Sequence, residues 1–148
     1  MVHEIRHLEA GDAAVLDRIA NGVFDNALRK EFVAEFLRGP QNHLCVAIDD
    51  NVVVGFASAI VYNHPDKPRE MWINEVGVAP SHQGQGLGKA LLAALFERAR
   101  TLGCHEAWVL TETDNSAARA LYRSAGGTEQ ADTVYVTFAL APLTIEQA

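Results

Sequence analysis

A carboxylate, a phenol and a run of glycines are the residues of this chain whose types and positions suit chemistry. Glu75 interrupts the otherwise largely apolar run Met71-Trp72-Ile73-Asn74-Glu75-Val76-Gly77-Val78. Strand alternation would set it on the face opposite Trp72 and Val76. An edge position or an ion pair with an arginine would account for it; so would a base, acting directly or through water, that takes the proton of an incoming ammonium. Tyr122 stands at helical spacing with Ala118 and Leu121. That spacing suits a core aromatic, and the phenol, with an ordinary pKa of about 10, is also a proton donor. Between the two, Gln83-Gly84-Gln85-Gly86-Leu87-Gly88-Lys89 leads into a helical pattern. Backbone N–H groups at a helix N-terminus attract an anion, and glycines remove the Cβ atoms that would hold a phosphate away. The stretch therefore reads as a pyrophosphate cradle, although a glycine loop by itself also serves plain turns. No Ser or Thr follows Lys89 to hold magnesium, and the spacing of Gly84, Gly86 and Gly88 is not that of a dinucleotide loop, which excludes both rival phosphate motifs.

Three weaker signals accompany these. Glu112 and Asp114 follow an apolar run at what would be the carboxyl end of a strand, where ligands of α/β sheets commonly bind; they suit a cationic substrate or a solvated acidic loop. Asp25, Glu31 and Glu35 read more strongly as solvated. His3-Glu4-Ile5-Arg6-His7 spells a zinc-protease motif, but in strand-like alternation rather than on a helix, so no metal is expected. Cys45 and Cys104 sit in apolar surroundings without metal spacing or an adjacent base, which makes them buried small hydrophobes rather than acyl carriers.

The elements that must position these groups are legible from periodicity and breakers. Residues 4–8 alternate as a strand, 11–20 and 27–37 carry helical spacing, and Gly39-Pro40 closes the second helix. Residues 44–48 and 52–62 flank Asp49-Asp50-Asn51 and should pair as an antiparallel hairpin. A Pro-punctuated loop precedes a strand over 71–78, then a helix over 86–102 stopped by Gly103, a strand over 106–111, a helix over 115–125 ended by Gly126-Gly127, and a closing strand over 133–140. The order β-α-α-β-β-β-α-β-α-β indicates an α/β (α+β) fold with a mixed sheet and helices on both faces. At 148 residues and 49% hydrophobic content, one domain over residues 1–148 suffices. Twelve Lys and Arg against nineteen Asp and Glu, a net charge of -7, disfavour nucleic acid and suit cationic small molecules. Neither a signal-type core nor a membrane-length apolar run is present, so a reduced, cytoplasmic setting away from membranes is expected, with room for a homodimer.

Two spaced motifs narrow the function. Gln83-x-x-Gly86-x-Gly88 between a strand and the longest helix, with Asn115-x-x-Ala118-x-x-Leu121-Tyr122-x-x-x-Gly126 downstream, resembles the acyl-CoA-binding core of the GCN5-related N-acetyltransferases, and the likeness extends over residues 44–140. Within that superfamily it looks most like the smaller, GCN5-related aminoglycoside 3-N-acetyltransferases, where the strand acid is usually Asp rather than Glu75. The resemblance implies that acetyl-CoA is the co-substrate and that amides from Gln83 to Lys89, including Gly84, Gln85, Gly86, Leu87 and Gly88, hold its pyrophosphate. It assigns the pantetheine arm to the main chain of Val76 and Val78 and to Asn115, with Ala118 beside it. Asn115 would cap its helix as well. It makes Tyr122 the acid that protonates the leaving thiolate, Glu75 the base, and Glu112 and Asp114 contacts to a polycationic amine, with direct transfer and no metal. Lys89 and Arg123 are the nearest cations, since Gln83, Gly84 and Gln85 stand where relatives often carry basic residues. The alternatives are a polyamine, amino acid or protein amino group as acceptor, or a CoA-binding sensor without turnover.

Overall fold

The computed structural model describes residues 3–141. Five strands lie in their sequence order, β1 (Glu4–His7), β2 (Asn42–Asp49), β3 (Val52–Tyr62), β4 (Glu70–Val78) and β5 (Glu106–Val109). The first four are antiparallel and β5 joins β4 in parallel. The β2–β3 hairpin turns where expected, and Asp50 and Asn51 both adopt positive φ, 50° and 63°, a conformation those two residue types tolerate. One parallel pair in an antiparallel sheet requires a crossover, and α2 (Leu87–Thr101) supplies it.

The two sheet faces are covered by different elements. α2 lies over β2, β3 and β4, sinking Leu91, Leu92 and Leu95 to no more than 1% exposure. Each such burial contributes about 1.5–3 kcal/mol. On the other face α1 (Lys30–Arg38) and the segment before it pack near β2 and β3, with the rings of Phe24 and Phe56 stacked at 4.0 Å. α3 (Ser116–Ser124) rests on α2, where Leu121 approaches Gly88 so closely that an added Cβ would stand 3.0 Å from it.

Three expectations change. Residues 11–20 form a 3-10 helix, Ala10–Asp17, instead of an α-helix, because the chain beyond it is drawn out along β3: Ala20 N–H donates to Val53 O and Val53 N–H to Arg18 O. α1 begins at Lys30 rather than 27, leaving 25–29 as a loop. The closing strand over 133–140 is not in the sheet: β5 is the last strand, and 133–140 has no ladder partner among the described residues. β propensity over 133–140 is real, but a strand exists only where another strand satisfies its N–H and C=O groups. No helix among the described residues is long and apolar enough to cross a membrane.

Candidate active site

The parallel pairing of β4 with β5 covers only Glu70 to Ile73 against Glu106 to Val109, whereas β4 continues to Val78. The two strands therefore part, and residues 74–78 present an unpaired edge to the gap. Ala79 N–H donates to Val54 O on β3, so by two-residue alternation the N–H and C=O groups of Val76 and Val78 are directed away from β3, toward that gap. The Gln83 side chain reaches back to donate to Val78 O at 3.1 Å. An extended polar chain laid along this edge would find donors and acceptors at strand spacing.

The glycine loop stands at the end of the same edge. Gly84 and Gly86 have φ of 77° and 80°, and a Cβ at either would meet nothing within 4 Å. Backbone conformation, not crowding, demands glycine there, and the space around both is open. Gly88 differs from the sequence reading: it is glycine because Leu121 of α3 presses on it. Gly86 caps α2, so the unpaired N–H groups of the first turn point into the loop, and the exposed Lys89 lies on that turn. His82 braces the loop, its Nε2 2.8 Å from Asp49 Oδ2 and its Nδ1 2.8 Å from Ser81 Oγ. Open space, amides and a helix dipole at the mouth of the split fit a diphosphate followed by a pantetheine-like arm.

Across the gap α3 brings the second motif. Asn115 Oδ1 accepts from Ala118 N–H at 3.0 Å, capping the helix and leaving its amide nitrogen to donate elsewhere. Tyr122 is half-buried on α3, and burial pushes its phenol upward, so it stays protonated at neutral pH as a proton donor must.

Glu75 owes its position to a bulge. Ser58 pairs with Glu75 but the next residue, Ala59, pairs with Ile73, so β4 carries an extra residue at Asn74. Residues paired across strands share a face, which puts Glu75 with Trp72, Ser58 and Phe56, and Val76 with Ile73 and Met71. Simple alternation placed Glu75 opposite Trp72, and the bulge reverses that. The result is that Glu75 joins the wall of an open cavity of about 290 Å³ between α1 and the sheet. Phe24, Phe32, Phe36 and Phe56 supply its aromatic surface, Ser58 and Asn26 add polar groups, Asp25 is the second carboxylate of the lining, and Arg29, 4.3 Å over the Phe32 ring, is its cation. Sequence reasoning passed over this wall: Asp25 read as solvated, and Phe32 and Phe36, four apart on α1, carried the one signal that could have exposed it. Glu112 and Asp114 are exposed on the loop between β5 and α3, outside the cavity lining.

The discounted groups have other roles. His7 faces His43 at 3.1 Å from within β1, and among the described residues no group of three or more His, Cys, Asp or Glu could hold a metal ion. Burial pushes the Cys45 thiol up to about 11 and raises that of Cys104, so neither offers a thiolate at neutral pH.

Residues 12–126 match the acetyltransferase (GNAT) family, and the chain belongs to it. Among characterised relatives, the N-alpha-acetyltransferase RimI of Mycobacterium tuberculosis is 37% identical over 90 residues, 61% of this chain and 54% of RimI. The L-amino acid N-acyltransferase MnaT of Escherichia coli is 37% identical over 81 residues, 55% of this chain and 47% of MnaT. The matches thus span about half the length of each. In fold, an aminoglycoside acetyltransferase from an uncultured soil metagenomic sample, solved in complex with sisomicin, superposes with a TM-score of 0.82 at 21% identity, covering 94% of this chain and 97% of that one.

Proposed function

We propose that this chain is an acetyl-CoA-dependent N-acetyltransferase that passes the acetyl group directly to a primary amine. The observation that carries the reading is the parting of β4 from β5, which leaves a free strand edge running to a glycine-built anion site. Acetyl-CoA, the donor of this family, supplies a thioester open to attack by a nitrogen lone pair. The amides from Gln83 to Lys89 hold its diphosphate, Val76 and Val78 pair with its pantetheine, and Asn115 donates to the same arm beside Ala118. Glu75 takes the ammonium proton, directly or through water, since only the neutral amine has a lone pair. The Val76 N–H faces the developing oxyanion, and Tyr122 gives its proton to the departing thiolate, whose acid has a pKa near about 8.5. Both raised thiols argue for direct transfer rather than an acyl-enzyme.

The cavity points to the acceptor. Four phenylalanines, with two carboxylates set against the Arg29 guanidinium, suit an amine with one ammonium and an apolar body, an amino acid or small alkyl or aryl amine, better than a polycation, which needs several carboxylates. That one relative is an L-amino acid N-acyltransferase supports the same reading. The second reading, an aminoglycoside acetylated at its 3-amino group, rests on the likeness to the sisomicin-bound structure, the net charge of -7 and the exposed Glu112 and Asp114. Thiol release by the purified protein with apolar amino acids, monoamines, polyamines and aminoglycosides separates them. The expected ranking in kcat/KM puts apolar monoamines above sisomicin, and the reverse ranking selects the aminoglycoside. Saturable CoA binding with no thiol release for any amine would leave a non-catalytic sensor.

A further inference from the structure

The lining of the cavity beside Glu75 is sorted by polarity. Leu16, Leu44 and Phe56 are buried, at 8%, 6% and 4% exposure, whereas Asp25, Arg29 and Glu75 are exposed at the rim. Arg29 has no task in the transfer chemistry, and a cation on the acceptor side repels an incoming ammonium. It stands at the N-cap of α1 without a side-chain cap bond. Its guanidinium carbon lies 4.3 Å from the centroid of the Phe32 ring, a cation–π contact that holds the group over the cavity lining. Glu31 meets it with a single oxygen, Oε1, 2.8 Å from both Nε and Nη2. The Glu31 side chain is 61% exposed, and so exposed an ion pair is weak enough for a ligand carboxylate to replace.

We infer that Arg29 is the carboxylate anchor of the acceptor site and that the acceptor is a free apolar α-amino acid, an assignment that rests on the acetyltransferase reading and narrows it. A guanidinium presents paired N–H groups that match the two oxygens of a carboxylate. A free amino acid repeats the polarity of the cavity: its side chain enters among Leu16, Leu44 and Phe56, its ammonium meets Glu75, and its carboxylate pairs with Arg29. Each competing acceptor lacks part of that set. A simple monoamine offers Arg29 nothing, and a polyamine or aminoglycoside sets a further ammonium against it. The N-terminal residue of a peptide has its carboxyl group locked in a neutral amide. The cavity volume of about 290 Å³ lies at the small end of ligand sites, roughly 300–1,000 Å³, as a single amino acid requires.

Thiol release with L-leucine, L-leucinamide and 3-methylbutylamine, which share a side chain and differ at the carboxyl group, tests this in the unaltered chain and in Arg29→Gln. In the unaltered chain kcat/KM should be about tenfold or more higher for leucine than for either counterpart, as one charge-assisted pair provides. Arg29→Gln should lower kcat/KM about 10–100-fold more for leucine than for 3-methylbutylamine. The comparison of substrates on the unaltered chain serves by itself if the variant fails to fold. Equal losses for the two substrates, or leucine turned over no better than its amide and amine, overturn the anchor while acetyl transfer stands. Release with none of these amines or any other acceptor removes the acetyltransferase reading instead. Calorimetry with CoA present then decides the anchor: leucine binding that Arg29→Gln abolishes upholds it, and leucine binding that is absent, or unchanged in the variant, overturns it.

Discussion

His43 makes stability depend on pH in a way that the buried end of β2 determines. Arg98 Nη2 donates to His7 Nδ1 at 2.8 Å, a closer contact than that of Glu9 Oε1 at 3.3 Å, which assigns the His7 proton to Nε2, where it is donated to His43 Nδ1 at 3.1 Å. His43 is only 6% exposed, and its Nε2 is buried without a hydrogen-bond partner among the described residues. A second proton on His43 would enter a dry site and oppose the His7 N–H. Burial first, and then His7 and Arg98, push its pKa from 6.5 to about 4. The folded pKa lies below the unfolded one, so the unfolded chain binds the extra proton first. The stabilisation is complete above pH 6.5, is lost as pH falls from 6.5 toward 4, and changes no further below that. At about 1.36 kcal/mol per pH unit, a drop from pH 7.5 to 5.0 costs about 2 kcal/mol through this residue. With a urea m-value of about 1–3 kcal/mol/M, that lowers the unfolding midpoint by roughly 1 M. The assay is urea unfolding followed by circular dichroism at both pH values, for the unaltered chain and for His43→Asn, whose side-chain oxygen can still accept from His7. The variant is less stable at both pH values but loses about 2 kcal/mol less between them. Equal losses in the two proteins would refute the reasoning.

Replacement of Tyr122 by Phe removes the proposed acid while keeping the packing of α3. The expected outcome is a fall in kcat of about 10²–10⁴-fold with the KM for acetyl-CoA little changed, measured by thiol release at neutral pH; unaltered turnover would take Tyr122 out of the mechanism. Glu75→Gln leaves the amine to lose its proton to bulk water, so the working pH should move upward and kcat at pH 7 should drop, read from a full pH–rate profile. An unchanged profile reduces Glu75 to a wall of the cavity.

Local chemistry made much of this protein legible in one dimension. The hairpin at Asp49-Asp50-Asn51, the capped start at Asn115 and the glycine loop were readable because turn, cap and left-handed backbone depend on a few adjacent residues, and each stands where the sequence puts it. What depended on distant pairing was not. The bulge at Asn74 arises from the register between β3 and β4, and it alone turns Glu75 from the α2 side of the sheet into the phenylalanine-lined cavity. That cavity joins residues from 16 to 75, which no spacing rule connects. The strand expected over 133–140 fails within one chain for a related reason, since a strand's backbone bonds belong to its neighbour and propensity cannot provide the neighbour. Residue types thus determined which groups could do chemistry, and strand pairing decided which of them face one another.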